Sequence, residues 1–82
     1  MIPLAKLRWQ CRRGTKELDY LLLRYVDSEY ALADAEEKAL FIDLLAQEDD
    51  QLILTLLGDL EVATAEMKVL VGKVRAFAVV GV

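Results

Sequence analysis

The stretch Arg8-Trp9-Gln10-Cys11-Arg12-Arg13-Gly14-Thr15-Lys16-Glu17-Leu18-Asp19 holds the residue types and spacings best able to do chemistry. It packs a large aromatic, a compact basic cluster, a turn glycine and two acids into one short segment. Arginine presents a planar donor fork suited to carboxylates and main-chain carbonyls, and Glu17 supplies the opposite charge. A rigid helix–turn–helix junction would hold Arg13 and Glu17 in fixed relative positions. This is recognition chemistry rather than bond-breaking chemistry. Two plainer readings compete with it. Arg13 and Glu17 could simply pair to tie two helices together, and a tryptophan such as Trp9 is more often core or half-buried than a contact anchor.

Equipment for catalysis is sparse. The chain has no histidine, which removes the commonest general base near neutral pH. With Cys11 as the single cysteine, conventional structural zinc ligation within one chain is ruled out, and no disulfide framework is possible. Asp27, Glu36, Asp43, Asp49 and Asp50 could pair as carboxylates, but such pairs at helical spacing are usually solvated surface. A chain of 82 residues also offers little concave volume. No catalytic residue and no metal site are expected. No window resembles a signal peptide or a membrane span, and the lone cysteine fits a reducing compartment, so a cytoplasmic protein without membrane insertion is expected.

Composition points the same way. Hydrophobic residues make up 56% of the sequence, high for a chain that buries only roughly 60–65% of its unfolded surface. Either the core is unusually apolar or some apolar surface is reserved for a partner. The net charge of −4 hides an asymmetry. Lys6, Arg8, Arg12, Arg13 and Lys16 face only Glu17 in residues 1–17, whereas residues 18–66 are strongly acidic apart from Arg24 and Lys38. Lys68, Lys73 and Arg75 then follow without an acid. A basic patch opposite an acidic body orients a molecule toward a partner, while bulk charge repels a polyanion beyond the patch.

The elements that must position the junction read as helices. Pro3 to Arg12 predicts a short helix with Leu4, Leu7 and Cys11 inward, Pro3 suiting its first turn. Gly14 predicts a tight turn. Leu18, Leu21, Leu22 and Tyr25 give the apolar stripe of a second helix from about Thr15 to Val26, with Asp19 and Arg24 facing water. A turn of helix is expected around Tyr30. Asp34 with Glu37 forms a capping box opening a third helix that runs to about Ala46 and buries Leu40, Phe41, Leu44 and Leu45. Asp49 is expected to cap a short fourth helix through Leu57, ended by Gly58. Ala63, Met67, Leu70, Val74 and Phe77 predict a final helix over Glu61 to Val79, with Lys68, Lys73 and Arg75 on the wetter side. A strand over Phe77–Val82 is the alternative. The expected fold is a single all-α domain over residues 1–82, a compact antiparallel bundle of about five helices. Its core draws on Leu18, Leu22, Phe41, Leu44, Leu45, Leu70, Val74 and Phe77.

The Arg13-Gly14-x-x-Glu17 pattern closely resembles the Arg-Gly-x-x-Glu motif of the succinate dehydrogenase assembly factors, bacterial and mitochondrial. The flanks agree too: Leu7-Arg8-Trp9 before the motif, Leu18-Asp19, Leu22 and Tyr25 after it, then Phe41, Leu44-Leu45, Asp49 and Leu52. The resemblance implies a helical protein that binds the flavoprotein subunit of succinate dehydrogenase and, in some bacteria, of the related fumarate reductase. It implies promotion of covalent FAD attachment to a histidine of that partner. FAD is then the partner's cofactor, with none bound firmly here. Gly14, Gly58, Gly72 and Gly81 are too scattered to form a dinucleotide fingerprint. The implied contact set is Arg13, Gly14 and Glu17 with Arg8, Trp9, Arg12, Lys16 and Asp19 beside them. Arg13, Gly14, Lys16 and Glu17 are expected on one solvent-facing edge, so that Arg13→Ala or Glu17→Ala weakens docking more than stability.

One departure stands out. Family members commonly carry proline after the aspartate of the fourth helix and tryptophan five residues beyond; here those places hold Asp50 and Thr55. Thr55 removes a large apolar surface, which leaves open whether a contact that relatives make there is retained; the Arg13-Gly14-x-x-Glu17 motif is untouched. The competing functional reading is a small helical regulatory or nucleic-acid-binding protein, using Arg8, Arg12, Arg13 and Lys16 on phosphates with Trp9 stacking. The acidic remainder and the lack of a recognition-helix pattern weigh against it. A structural subunit, retained stoichiometrically in a mature complex, is the third.

Overall fold

A computed structural model describes residues 3–58, 61–62 and 64–80, without the side chains of 78–80. Within them every regular element is a helix: α1 Leu4–Gln10, α2 Lys16–Ser28, a 3-10 turn Tyr30–Leu32, α3 Ala35–Leu45, α4 Asp49–Leu56 and α5 Ala65–Val80. There is no strand among the described residues. The last segment is helix through Val80, so the strand alternative fails there; 81 and 82, like Ala63 of the predicted stripe, lie outside the described residues.

Helix α2 is the centre of the fold, touching α1, α4, α5 and the 3-10 turn, and α5 also lies against α3 and α4. This follows from α2's stripe: Leu18, Leu21, Leu22, Tyr25 and Val26 are all buried. They meet Leu7 and Cys11 from α1 and its end, Phe41, Leu44 and Leu45 from α3, Leu52 and Leu56 from α4, and Leu70, Val71 and Val74 from α5. The expected core is reproduced except at Phe77, which is half-buried with the Arg24 guanidinium 5.7 Å from its ring centre. Arg24 lies 5.9 Å from the Tyr20 ring as well, so the cation closes the α2–α5 edge over Phe77. Leu4 was expected inside but is 57% exposed, Leu7 being the one buried residue of α1. Leu40 is only half-buried. Burial pushes the Cys11 thiol up to about 12, so it behaves as a small apolar core group rather than a nucleophile.

The start of α3 differs from the expected capping box in one half. Asp34 Oδ1 accepts the Glu37 amide at 2.8 Å, as predicted. The Glu37 carboxylate turns inward instead, accepting from Tyr25 Oη at 2.6 Å and from Lys73 Nζ at 2.7 Å. One carboxylate thereby links α2, α3 and α5. A buried phenol needs an acceptor, and this demand outweighs the second half of the box. The hydrogen bonds from Lys73 first, and Tyr25 second, hold the Glu37 carboxyl below the usual carboxylate range.

A folded-state value below the unfolded one means stabilisation that is fully present above the ordinary 4.5 and fades as pH falls through the lower folded value. Glu37→Gln should therefore be less stable than wild type at neutral pH, with the gap closing as the medium is acidified. Urea denaturation across a pH series measures it; a gap that widens in acid would contradict the assignment.

Helix α4 begins with Asp49 inside its first turn and Glu48 at the cap position without a side-chain cap bond, so Asp49 is not the cap. It ends as expected, with the Gly58 amide donating to Ile53 O at 3.0 Å. A Cβ on Gly58 would come within 2.9 Å of Leu54 O, which accounts for glycine there. Thr55 points inward and is 1% exposed. The side chain at that place therefore faces the core of this protein and not its surface. A hollow of about 420 Å³ lies beside it, walled by Leu40, Val62 and Met67.

Candidate functional site

Helix α1 ends at Gln10, and the amides of Cys11 and Arg12 still fold back onto Leu7, Arg8 and Trp9 carbonyls. The chain must then reverse into α2, whose first turn carries Glu17 and Asp19 near the positive helix end. Gly14 makes the reversal at φ +84°, a conformation that disfavours other L-residues. A Cβ built there meets nothing within 4 Å. The turn is therefore open to whatever approaches it from outside.

Arg13 does not sit on the open edge that the sequence suggested, and it does not pair with Glu17. Its Nε donates to Gln10 O at 2.9 Å, Nη1 to Gln47 O and Asp49 Oδ1 at 3.3 Å each, and Nη2 to Leu45 O. Its side chain is 18% exposed. The cause lies in α3, which has no basic residue in its last turn to meet the free carbonyls that every helix end presents. Arg13 supplies those donors from a distant part of the chain. Asp19 was expected in water; it is half-buried instead, and its Oδ1 accepts the Arg13 amide at 2.6 Å. Arg8 pairs with Asp27 of α2.

The rest of the expected contact set is free. Arg12, Gly14, Lys16 and Glu17 are exposed, and the three charged ones make no ion pair among the described residues. Trp9 is 72% exposed, against the core reading of a lone tryptophan. It stands between two shallow grooves. One of about 420 Å³ runs between Trp9, Arg12 and Arg13 on one side and Ile42 and Leu45 on the other. The second, of about 260 Å³, lies between Arg8, Trp9, Arg12 and Leu23. With Arg8 and Arg13 bonded internally, the basic stretch presents fewer free cations than its sequence promises, which weakens the phosphate-binding alternative. Among the described residues no cluster of potential ligands could hold a metal ion, and no helix is long and apolar enough to cross a membrane.

Comparison with known proteins decides what this constellation belongs to. Residues 5–78 match the family described as flavinator of succinate dehydrogenase. The chain belongs to that family. Its relatives include the FAD assembly factor SdhE of Coxiella burnetii, 40% identical over 75 residues that cover 89% of this chain and 92% of the relative. The FAD assembly factor SdhE of Shewanella oneidensis is 39% identical over 75 residues, covering 92% of each. That of Xylella fastidiosa is 40% identical over 73 residues, covering 89% of this chain and 75% of the relative. The family resemblance carried by Arg13-Gly14-x-x-Glu17 and its flanks is therefore correct.

Within this member of the flavinator family, the motif divides by environment into an internal arginine and an exposed Gly14 and Glu17. Arg13→Ala should accordingly destabilise the isolated protein, by about 2–3 kcal/mol, as expected for charge-assisted bonds whose acceptors are left behind. Glu17→Ala should change stability by less than about 0.5 kcal/mol. Thermal melts of the two variants side by side check this; equal melting points would return Arg13 to the open edge.

Proposed function

We propose that this protein binds the flavoprotein subunit of succinate dehydrogenase and raises the yield of FAD covalently attached to it. The observation that carries the reading is the Gly14 turn of the family motif, open on its outer side and bordered by exposed Glu17, Lys16, Arg12 and Trp9. Tryptophan and arginine are the residue types that most often anchor protein interfaces, and the missing Cβ lets a partner's backbone approach the turn. The related fumarate reductase flavoprotein subunit is a second partner of the same chemistry.

This chain is not itself an enzyme in this reading. The attachment histidine belongs to the partner, consistent with a sequence that has none. FAD is the partner's cofactor and is not held firmly here, and the setting is the cytoplasm. What this chain contributes is conformational. By binding an attachment-competent arrangement of the flavoprotein more tightly than other arrangements, it raises that population by the ratio of the two affinities. Contact falls to Glu17, Gly14, Lys16, Arg12 and Trp9, while Arg8, Arg13 and Asp19 hold the surface in shape.

Mixing the purified flavoprotein subunit, lacking flavin, with FAD and this protein tests the proposal. Covalent flavin, read as fluorescence after denaturing electrophoresis, should rise with added factor and should rise less with Glu17→Ala. Identical labelling with and without the factor would refute it.

A further inference from the structure

The Gly14 turn has to be held in one shape to present Glu17, and the residues around it show how. Arg13 is anchored from two directions. Its guanidinium makes four contacts with its own chain, on the end of α1 and on the α3–α4 corner. Those contacts draw on all three of its nitrogens and on as many as four of its five N–H donors. Its main-chain amide, the last donor before Gly14, is taken by Asp19 Oδ1 at 2.6 Å. Asp19 is half-buried, and the oxygen it turns inward is committed to the turn itself.

We infer that Asp19 is a positioning residue for the partner-facing turn, acting through the Arg13 amide on Gly14 and Glu17 rather than by touching the partner. The inference rests on the proposed flavoprotein-docking function. Without the Asp19 acceptor, the stretch from Arg13 to Thr15 samples several conformations, of which one docks. Apparent affinity falls by the fraction of time spent in that one, while the attachment reached at saturating factor is retained.

What matters at Asp19 is an acceptor oxygen at the right place, not the charge. Asparagine keeps that oxygen and loses the charge; glutamate keeps the charge and displaces the oxygen by a methylene. The experiment titrates the wild type, Asp19→Ala, Asp19→Asn and Asp19→Glu against the flavoprotein subunit with FAD, and records the Gly14 amide resonance of each free protein by NMR. Asp19→Ala should raise the factor concentration giving half-maximal flavin attachment about tenfold, with an unchanged plateau and a shifted Gly14 resonance. Asp19→Asn should recover most of that loss and Asp19→Glu should not. The asparagine and glutamate pair decides the matter even if the alanine variant does not fold.

The reverse order, glutamate active and asparagine defective, would overturn the inference in favour of a direct charge contact. So would a tenfold loss in Asp19→Ala with the Gly14 resonance unmoved, or no loss in any variant. Absence of any effect from the wild-type factor is a distinct result: it would remove the proposed function, and this inference with it.

Discussion

Phe41→Ala is expected to lower the unfolding free energy by about 3–5 kcal/mol, the range for deleting a fully buried aromatic. Phe41 is completely buried, its ring centre 4.5 Å from that of Tyr25 and 5.8 Å from that of Tyr30. It joins α3 to α2 and to the 3-10 turn, so the hollow left behind cannot close without moving one of them. A small domain has a total stability of roughly 5–15 kcal/mol, so the loss is a large part of the whole. Urea denaturation should show a lower midpoint with the slope unchanged. Phe41→Leu, which keeps most of the volume, should cost clearly less. A loss below about 1 kcal/mol for the alanine variant would mean that this aromatic cluster is not the centre of the core.

The largest functional effect is expected at Gly14. Alanine there must take up a left-handed backbone conformation at about 1–2 kcal/mol, with no clash inside its own chain. Asparagine tolerates that conformation better but projects further into the space outside the turn. The two variants thus separate turn strain from steric exclusion. Gly14→Asn should melt closer to the wild type than Gly14→Ala and yet be at least as defective in promoting flavin attachment. Recovery of attachment in the asparagine variant would show that turn geometry alone matters and that nothing approaches Gly14 closely.

Much of this arrangement was legible in the sequence because it is local. The stripe Leu18, Leu21, Leu22 and Tyr25 and the Asp34 cap are set by helical periodicity and by neighbours three or four residues away, and all appear as read. Gly14 announced its turn in the same way. What was not legible depends on contacts between distant segments. Arg13 looked like an exposed recognition residue because nothing near it in sequence shows that Leu45 O and Gln47 O require donors. A signal did exist, in an α3 that ends without glycine or a basic residue, but it names a need and not its supplier. Glu37 was diverted from its cap by Tyr25 and Lys73, both far along the chain. Trp9 shows the converse: residue type alone favoured burial, while the seven-residue α1 turns only Leu7 toward the core and leaves the indole outside.

These distinctions give the motif a division of labour. Arg13 and Asp19 build the turn, Gly14 keeps it open, and Glu17 with Trp9, Arg12 and Lys16 faces outward. The most direct test of the central claim is flavin bound to the succinate dehydrogenase flavoprotein subunit in cells lacking this protein. The deletion strain is complemented with wild type, with Gly14→Asn, or with nothing, and covalent flavin is read as fluorescence of the subunit in denaturing gels. Strong labelling with wild type and weak labelling in the other two is the expected result. Equal labelling in all three strains, at equal amounts of the flavoprotein subunit, would contradict the account.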